Sequence, residues 1–212
     1  MQLISINIGK EQTQQRRDYI ETTGIYKIPV NRPVEIKRLG IDTDAICDKK
    51  NHGGIDQAIY VYGGADYAWW SNELGRDLTP GTFGENLTVS ELESAQFNVG
   101  DYLHIGDVTL QVTSPRIPCG TFATRMGDPQ WVKKFRTGER PGLYCRVINE
   151  GIVNAGDKVT VEKYTGDTIS ILQMYRDHYE NKMSEEAIQR YINAPIDIRS
   201  RTDLEKELNQ VS

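Results

Sequence analysis

The sequence predicts a mainly β protein with some α structure, in which a β-barrel over residues 1–165 is followed by a small three-helix domain over residues 166–212. Two observations support this fold class. Eight or more short strand-like segments, separated by turn signals, occupy the first part of the chain, which is typical of a closed or half-closed barrel. The last part has three short helical patterns instead. So small a helical unit is expected to dock on the barrel or on a partner, because it buries too little apolar surface alone.

Apolar patterning indicates the strands of the first half. Ile4, Ile6 and Ile8 alternate with other residues and predict a strand over residues 3–8 with one buried face. Residues 10–21 are polar and irregular, and they predict a loop. Further strands are predicted over residues 24–30, 34–38 and 58–62.

A helix and a β-hairpin follow. The helix is predicted over residues 65–74 and stops at Gly75; its Trp69–Trp70 pair favours core packing over a stacking platform for a flat ligand. The hairpin covers residues 102–113. Cys145 alternates with apolar residues of a later strand and is expected in the core. The remaining predicted elements are a helix capped by Asp128 that starts at Pro129 and runs to Phe135, strands over 142–148, 151–153 and 158–162, and helices over 168–180, from Ser184 to before Pro195, and over 203–210.

The second strand of the hairpin leads into a stiff segment that carries Cys119. Pro115 and Pro118 restrict the backbone, so the cysteine is held on a rigid arm just before a short helical turn. Arg116, Arg125 and the start of that helix all favour a thiolate over a thiol. A thiolate is the form required of a nucleophile or of a ligand to a soft metal. From these residues alone, a small buried apolar cysteine is an equally good interpretation.

Two polar segments are further candidates for a binding site. The long loop over residues 39–54 ends in His52, Gly53 and Gly54, where glycine backbone can approach an anion and present N–H groups to it. A structural histidine beside a tight turn is the simpler interpretation of this segment. Glu85 and Asn86 follow a second glycine turn. Basic residues also lie close after the cysteine in sequence, and they indicate either a solvated face or an anion site: Lys133, Lys134, Arg136 and Arg140.

Composition limits the possible functions. The net charge of −5 and the pI of about 5.3 give no general attraction to nucleic acid or to an anionic membrane. We expect no membrane-spanning segment and no signal peptide, because no long apolar run occurs and the first residues alternate polar with apolar. Three well-separated cysteines argue against a disulfide scaffold, and a reducing cytoplasm is the expected location.

Three motifs stand in order along the chain: Asn51-His-Gly-Gly54, Phe83-Gly-Glu-Asn-Leu87, and a third that runs from Gly100-Asp through Gly106 to Pro115-Arg-Ile-Pro-Cys119. Together they resemble the MOSC-domain family, the domain shared with the C-terminal part of molybdenum cofactor sulfurase, and within it the YiiM type. The resemblance covers essentially the whole chain. One departure is Thr43–Asp44, where the family usually has Gly-Asp before the His-Gly-Gly run.

The resemblance implies a MOSC β-barrel with a C-terminal three-helix domain that binds the molybdenum cofactor (Mo-molybdopterin). Cys119 would be the protein ligand to molybdenum, which suits a soft thiolate. Pyridoxal phosphate binding, a term of the wider superfamily, is not expected here. The residues assigned to the phosphate and other anionic groups of the cofactor are Lys27, Arg32, His52, Gly53, Gly54, Asn86, Arg116 and Arg125.

The activity that the resemblance implies is reduction of a small N-hydroxylated substrate, for example 6-N-hydroxylaminopurine to adenine. Cys119, His52 and Asp44 are the catalytic candidates, and the proton donor stays open among His52, Asp44 and Glu85. No Gly-x-Gly-x-x-Gly run follows a strand. The electrons are therefore expected from an external flavin- or iron–sulfur-type donor protein, with this chain a monomer or a homodimer.

Two other functions remain open from the sequence. Cys119 is also suited to a sulfur carrier that passes sulfane sulfur, held as a persulfide, to a cofactor or a metal–sulfur cluster. A pterin-binding or regulatory module without turnover, in which the helical tail makes the interaction, is the third interpretation.

Overall fold

A computed structural model describes residues 1–16, 18–180 and 183–211, the last two by their backbone. Twelve strands and six α-helices are assigned in this part of the chain. The strands are β1 Leu3–Gly9, β2 Gln12–Gln15, β3 Ile20–Thr23, β4 Lys27–Pro29, β5 Val34–Ile36, β6 Ile59–Gly63, β7 Leu87–Val89, β8 Tyr102–Ile105, β9 Val108–Pro115, β10 Leu143–Asn149, β11 Gly151–Val153 and β12 Val159–Glu162. The helices are α1 Gly64–Leu74, α2 Gly120–Met126, α3 Trp131–Gly138, α4 Ile171–Asp177, α5 Glu185–Asn193 and α6 Ile198–Val211.

An eight-stranded mixed sheet forms the centre of the fold, in the order β12-β8-β9-β10-β6-β7-β1-β4. The pairing of β6 with β7 is parallel and the other pairings are antiparallel. The predicted barrel is not confirmed, because this strand order ends on β12 at one side and on β4 at the other. Gln2, just before β1, and Lys158, just before β12, form an isolated antiparallel bridge outside these strands.

The segment over residues 10–21, predicted as a loop, instead contains β2 and the start of β3, which pair antiparallel from Gln12–Thr23 to Gln15–Ile20. That prediction was wrong because this hairpin is polar: Gln14 is buried yet bonds Glu21 and the hydroxyl of Tyr26. Hydrogen bonds, rather than an apolar face, hold the two strands together, and periodicity of apolar residues does not detect such a pairing.

The apolar core has two parts. Aliphatic side chains pack between the sheet and the C-terminal helices, and Cys145 is fully buried among them, as predicted. Aromatic rings form the other part, in which Trp70 packs against Trp131 and Phe135 with ring centroids 4.8 and 5.8 Å apart. Trp70 is therefore core packing. The predicted burial of one face of β1 holds only in part, because Ile4 is 47% exposed.

Helix starts differ from their predicted positions. Helix α3 begins at Trp131 rather than at Pro129, because Asp128 accepts a hydrogen bond from the Gln130 N–H and makes a turn before the helix. Helix α6 begins at Ile198, well before residue 203. Asp197 accepts a hydrogen bond from the Ser200 N–H at 3.0 Å and so caps the start of α6. The sequence prediction did not use this aspartate as a helix cap. Ser184 caps α5, as predicted.

The C-terminal helices pack on the sheet. Ile169, Ile171 and Ile196 belong to the same apolar cluster as the strand residues, so the helices are not an independent core. Arg146 of β10 donates to the carbonyls of Pro195 and Ile196 at 3.1 and 2.9 Å. The boundary at residue 165 stays a prediction. In the described ranges, no helix has the length and apolar character needed to cross a membrane.

The aromatic cluster predicts a large stability effect at Phe135. We expect Phe135→Ala to lower the free energy of unfolding by about 3–5 kcal/mol, because it leaves a cavity among fully buried rings. Lys133→Ala, on the exposed face of the same helix, is the matched control and should change it by less than about 0.5 kcal/mol. Urea titration of both variants makes the measurement. Equal effects would contradict this description of α3.

Candidate functional site

A half-open cavity of about 140 Å³ lies where the 24–27 segment, the polar loop, β6 and the end of β9 meet. It brings together most of the residues that the sequence singled out, although these are far apart along the chain. The predicted site residues that line it are Lys27, Asp44, His52, Gly53, Asn86, Arg116 and Cys119.

Cys119 stands between β9 and α2, with an extended backbone at the first turn of the helix. Burial acts to raise the pKa of its thiol, but a hydrogen bond from the His52 side chain, the positive charge of Arg116 and the Phe122 N–H oppose this and lower the pKa to about 6. The sulfur therefore carries a negative charge at neutral pH. This geometry favours the thiolate interpretation over that of a small apolar residue.

His52 reaches the sulfur because of the conformation of its loop. Its own N–H donates to the carbonyl of Asp48 at 2.9 Å, which closes a turn over residues 48–52. The next residue, Gly53, has φ +73°, and a Cβ there would lie 3.1 Å from the side chain of Ile46. Glycine is therefore required at 53 both for backbone angle and for space. The His-Gly-Gly motif acts here mainly by positioning the imidazole.

Lys27 and Asp44 form a buried ion pair at the wall of the cavity. Asp44 also accepts hydrogen bonds from the Gly9 N–H at 2.7 Å and from Asn86 Nδ2 at 2.9 Å. Burial lowers the pKa of Lys27, and the neighbouring Asp44 carboxylate opposes that shift. Lys27 is thus no ordinary solvated lysine. Because three donors hold its two oxygens, the Asp44 carboxylate supports the cavity wall, and His52, not Asp44, is bonded to Cys119.

Arg116 forms another wall. It is 4% exposed, donates from Nη1 to the carbonyl of Phe83, and places its guanidinium carbon 4.2 and 5.0 Å from the ring centroids of Phe122 and Tyr60. Its Nε has no hydrogen-bond partner among the described residues. Gly84 has φ +74°, and a Cβ there would lie 3.3 Å from Nη1 of Arg116. The glycine motif around residue 84 therefore makes room for this guanidinium.

Three predicted residues lie elsewhere. Arg32 is exposed and its closest bond is to its neighbour Pro33, at 3.4 Å. Gly54 is exposed beside the loop, outside the cavity lining. Arg125 donates to the carbonyls of Thr82 and Gly81 at 2.9 and 3.0 Å and stacks on a tyrosine ring. These contacts use Arg125 to hold the turn before the second motif.

Glu85 is fully buried behind the cavity wall. Its Oε1 accepts from Tyr67, the Gly81 N–H and Thr88 at 2.6–2.7 Å, and burial raises its pKa despite these bonds. It is not among the lining residues, so of the three proton-donor candidates only His52 both lines the cavity and bonds the sulfur.

The basic residues after Cys119 do not form an anion site at the cavity. Lys134 pairs with Asp128 at 2.7 Å, Arg140 pairs with Asp66 at 2.9 Å, and Arg136 lies over the ring of Tyr179. Each of these three charges already has a partner on α3 or its neighbours. Sequence proximity to the cysteine was misleading because α2 and its turn carry the chain away from the cavity.

Sequence reasoning passed over several residues at the site. Tyr144 of β10 and Cys47 of the polar loop line the cavity, and the hydroxyl of Tyr144 makes no hydrogen bond to any described residue. Arg16, the residue after β2, lies over Gly120, where a Cβ would be 2.0 Å from its guanidinium. Alternation with Cys145 was the one available signal for Tyr144, since it places Tyr144 on the opposite face of the strand.

A metal ion would find few protein ligands here. In residues 1–16, 18–180 and 183–211, no group of three or more His, Cys, Asp or Glu side chains is placed to hold one. Cys119 with one histidine beside it therefore fits a metal whose other ligands come from a cofactor.

Comparison with known proteins places this site in a family. Residues 48–160 match the model described as "MOSC domain", which spans more than half of the chain. The chain is 33% identical over 191 residues to the "Uncharacterized protein YflK" of Bacillus subtilis, covering 90% of this chain and 86% of that protein. It is also 33% identical over 136 residues to "Protein YiiM" of Escherichia coli, covering 63% of this chain and 61% of that one.

Two further similarities bear on fold and activity. The crystal structure of YiiM from Geobacillus stearothermophilus superposes with a TM-score of 0.79 at 27% identity, covering 98% of both chains. A protein of Gibberella moniliformis named "Reductase" is 31% identical over 160 residues, which are 73% of this chain but 28% of that protein. The similarity to the reductase therefore concerns a little over a quarter of that protein.

The contacts of Cys119 predict an unusually reactive thiol. Iodoacetamide should label Cys119 with a rate midpoint near pH 6, whereas Cys145 should stay unlabelled in the folded protein because burial raises the pKa of its thiol above the ordinary value. In His52→Ala the midpoint at Cys119 should rise toward the ordinary thiol value near 9. Mass spectrometry of each cysteine peptide against pH gives the measurement. An unchanged midpoint in His52→Ala would contradict the assigned hydrogen bond.

Proposed function

The chain belongs to the MOSC-domain family and is of the YiiM type, and on this basis we propose that it is an oxidoreductase that reduces N-hydroxylated compounds with a molybdenum cofactor held at Cys119. The observation that carries the proposal is the Cys119 sulfur, a thiolate at neutral pH that opens into a cavity lined by cationic and polar groups. The reductase name of one relative supports the reaction class.

The residues at the cavity fit the cofactor. A thiolate is a suitable ligand for a soft metal centre. Arg116, a permanent cation with a free Nε, is the group we assign to an anionic part of the pterin, because arginine makes strong charge-assisted bonds to phosphate. Lys27 is bound to Asp44, which offsets its charge, so we assign it to the support of the cavity wall and not to a direct bond with the cofactor.

The bound cofactor would supply the two-electron chemistry, in which R–NHOH, two electrons and two protons give R–NH₂ and water. The chain supplies the rest. The imidazole of His52 lies beside Cys119 and is the candidate proton donor to the departing oxygen. Burial raises the pKa of Tyr144, so its hydroxyl stays protonated and can donate a hydrogen bond to a substrate oxygen in the cavity. The electrons come from a separate donor protein.

A sulfur carrier is the alternative function. It is favoured by the same low thiol pKa at Cys119, because a thiolate that opens into a cavity is also what accepts sulfane sulfur as a persulfide. The two functions differ in what the purified protein contains.

Metal and pterin analysis tests the proposal. Protein made in a cofactor-competent host should contain close to one molybdenum and one pterin per chain, and Cys119→Ser should lose both because it lacks the soft ligand. Chemically reduced protein should convert an N-hydroxylated base to the amine, and Cys119→Ala should not. Cys47→Ala, which removes the other thiol of the cavity, is the control and should retain activity. Protein that carries a labile persulfide and no molybdenum would favour the sulfur carrier instead.

Arg116 is predicted to hold the cofactor. Arg116→Lys keeps the positive charge but loses the planar set of donors, so we expect cofactor occupancy to fall by roughly tenfold or more, in line with about 1.5–3 kcal/mol for a charged hydrogen bond. Lys133→Ala, on the surface of α3, should leave occupancy unchanged. Thermal unfolding of the apo forms checks that Arg116→Lys is folded. Equal occupancy in the two variants would count against this placement.

A further inference from the structure

Glu85 is a fully buried acid behind the cavity wall that the proposed reaction does not use. Its Oε1 accepts hydrogen bonds from the Tyr67 hydroxyl and the Gly81 N–H, both at 2.6 Å, and from the Thr88 hydroxyl at 2.7 Å. The Tyr67 hydroxyl also accepts from the Thr82 N–H at 3.1 Å, so its own proton is free to point at the carboxylate. Glu85 is thus a shared acceptor that brings three donors to one oxygen.

These bonds hold a tight turn over residues 81–84. A backbone bond of 3.0 Å closes the turn, and its two glycines have positive φ. Glu85 holds the N–H of Gly81 directly and that of Thr82 through the tyrosine hydroxyl. The carbonyls of the same two residues accept from Arg125, at 3.0 and 2.9 Å. An acidic acceptor and a basic donor therefore fix the same two peptides.

The next carbonyl along the turn, that of Phe83, accepts from Nη1 of Arg116. Among the residues that the structure describes, Arg116 and Arg125 donate to carbonyl groups, and neither pairs with a carboxylate. A carboxylate bound to the Arg116 guanidinium would compete with an anionic ligand for the same donors. Glu85 bonds the turn instead of the guanidinium, so it supports Arg116 without occupying it.

We propose that Glu85 is a positioning residue for the anion-binding side of the cavity: through the 81–84 turn it places the Phe83 carbonyl, and that carbonyl holds the Arg116 guanidinium at the wall. The role requires an acceptor oxygen at Oε1, since this is the atom that the three donors share. The ligand class is a phosphate-type anion, which suits an arginine. Only the identity of that anion, as part of the pterin cofactor, rests on the proposed function.

Hydrogen exchange at Nε of Arg116, in protein without cofactor, is the first measurement. Proton–nitrogen NMR follows the signal, which is assigned by its loss in Arg116→Lys. This buried N–H has no hydrogen-bond partner among the described residues, so its exchange reports movement of the side chain. Tyr67→Phe removes the hydroxyl that links Glu85 to the turn, and it should speed the exchange roughly fivefold, as expected for one lost hydrogen bond.

Tyr62→Phe is the matched control. Tyr62 is also buried in the aromatic cluster, but its hydroxyl donates to the carbonyl of Arg140 at 2.8 Å and not to the turn. The substitution keeps the ring that stacks on Phe83. It should therefore leave the exchange rate at Arg116 unchanged, although it also removes a buried hydroxyl.

Two substitutions of Glu85 separate its acceptor from its charge. Glu85→Gln keeps an oxygen for the three donors, so we expect the slow exchange at Arg116 and the pterin content per chain to be retained. Glu85→Leu fills similar space without an acceptor and should lower the pterin content by roughly tenfold. If Glu85→Leu does not fold, Tyr67→Phe makes the same test and should lower the pterin content, whereas Tyr62→Phe should not. With Arg116→Lys already present, Tyr67→Phe should cause no further loss of pterin.

Three outcomes would overturn the proposal. An unchanged exchange rate in Tyr67→Phe would mean that the turn does not place Arg116. A loss of slow exchange in Glu85→Gln would mean that the charge of Glu85 matters and not its acceptor oxygen. An equal effect of Tyr62→Phe would mean that the loss of any buried hydroxyl loosens the arginine. Absence of pterin from the unsubstituted protein would instead contradict the proposed function, and the exchange rates would still decide the role of Glu85.

Discussion

The stabilisation of one negative charge, on the Cys119 sulfur, is the constraint around which this site is built. A half-buried thiolate loses much of its hydration, and burial alone would raise the thiol pKa. The protein offsets that cost with groups from different parts of the chain: His52 from the polar loop, Arg116 from the cysteine arm and the Phe122 N–H from α2. Each contributor needs its own support. Gly53 lets the loop turn, Gly84 makes room for the guanidinium, and the two aromatic rings beside Arg116 hold its flat faces.

A second buried charge pair gives the cavity a fixed wall. The Lys27–Asp44 ion pair joins β4 to the polar loop, and Asn86 and the Gly9 N–H complete the bonds to its carboxylate. Buried ion pairs contribute little net stability but tolerate few alternative arrangements, because removing either partner leaves a charge without compensation. We infer that this pair fixes the geometry of the loop. The departure at Thr43 leaves these bonds intact, because the carboxylate that makes them belongs to Asp44.

Most of the residues that the sequence singled out lie at one cavity, whereas two features of the fold around it were not predicted correctly. The motif pattern singled out Cys119, whereas His52 and Arg116 were assigned from local chemistry, and all three line the cavity. The β2–β3 hairpin was missed because its strands are polar, and the barrel was predicted from strand number, which does not determine whether the edge strands pair. Arg32 was assigned from local charge alone and lies away from the cavity, since charge patterns along a chain carry no information on which face a side chain occupies.

At the start of α6, the Ile198 N–H donates to the Asp56 carboxylate, which also pairs with Arg146 of β10. The next residue of the helix, Arg199, donates to the Asn51 carbonyl in the loop that carries His52. These contacts determine how much of the chain is needed to build the site. The family match covers residues 48–160, yet Lys27 lies before that segment and Arg199 after it, and both make contacts at the cavity or its loop. The segment that matches the family model is therefore shorter than the segment that makes contacts at the cavity and its loop. An isolated fragment cut to the family boundaries would keep Cys119 and His52 but lack groups from both ends of the chain that hold the loop in place.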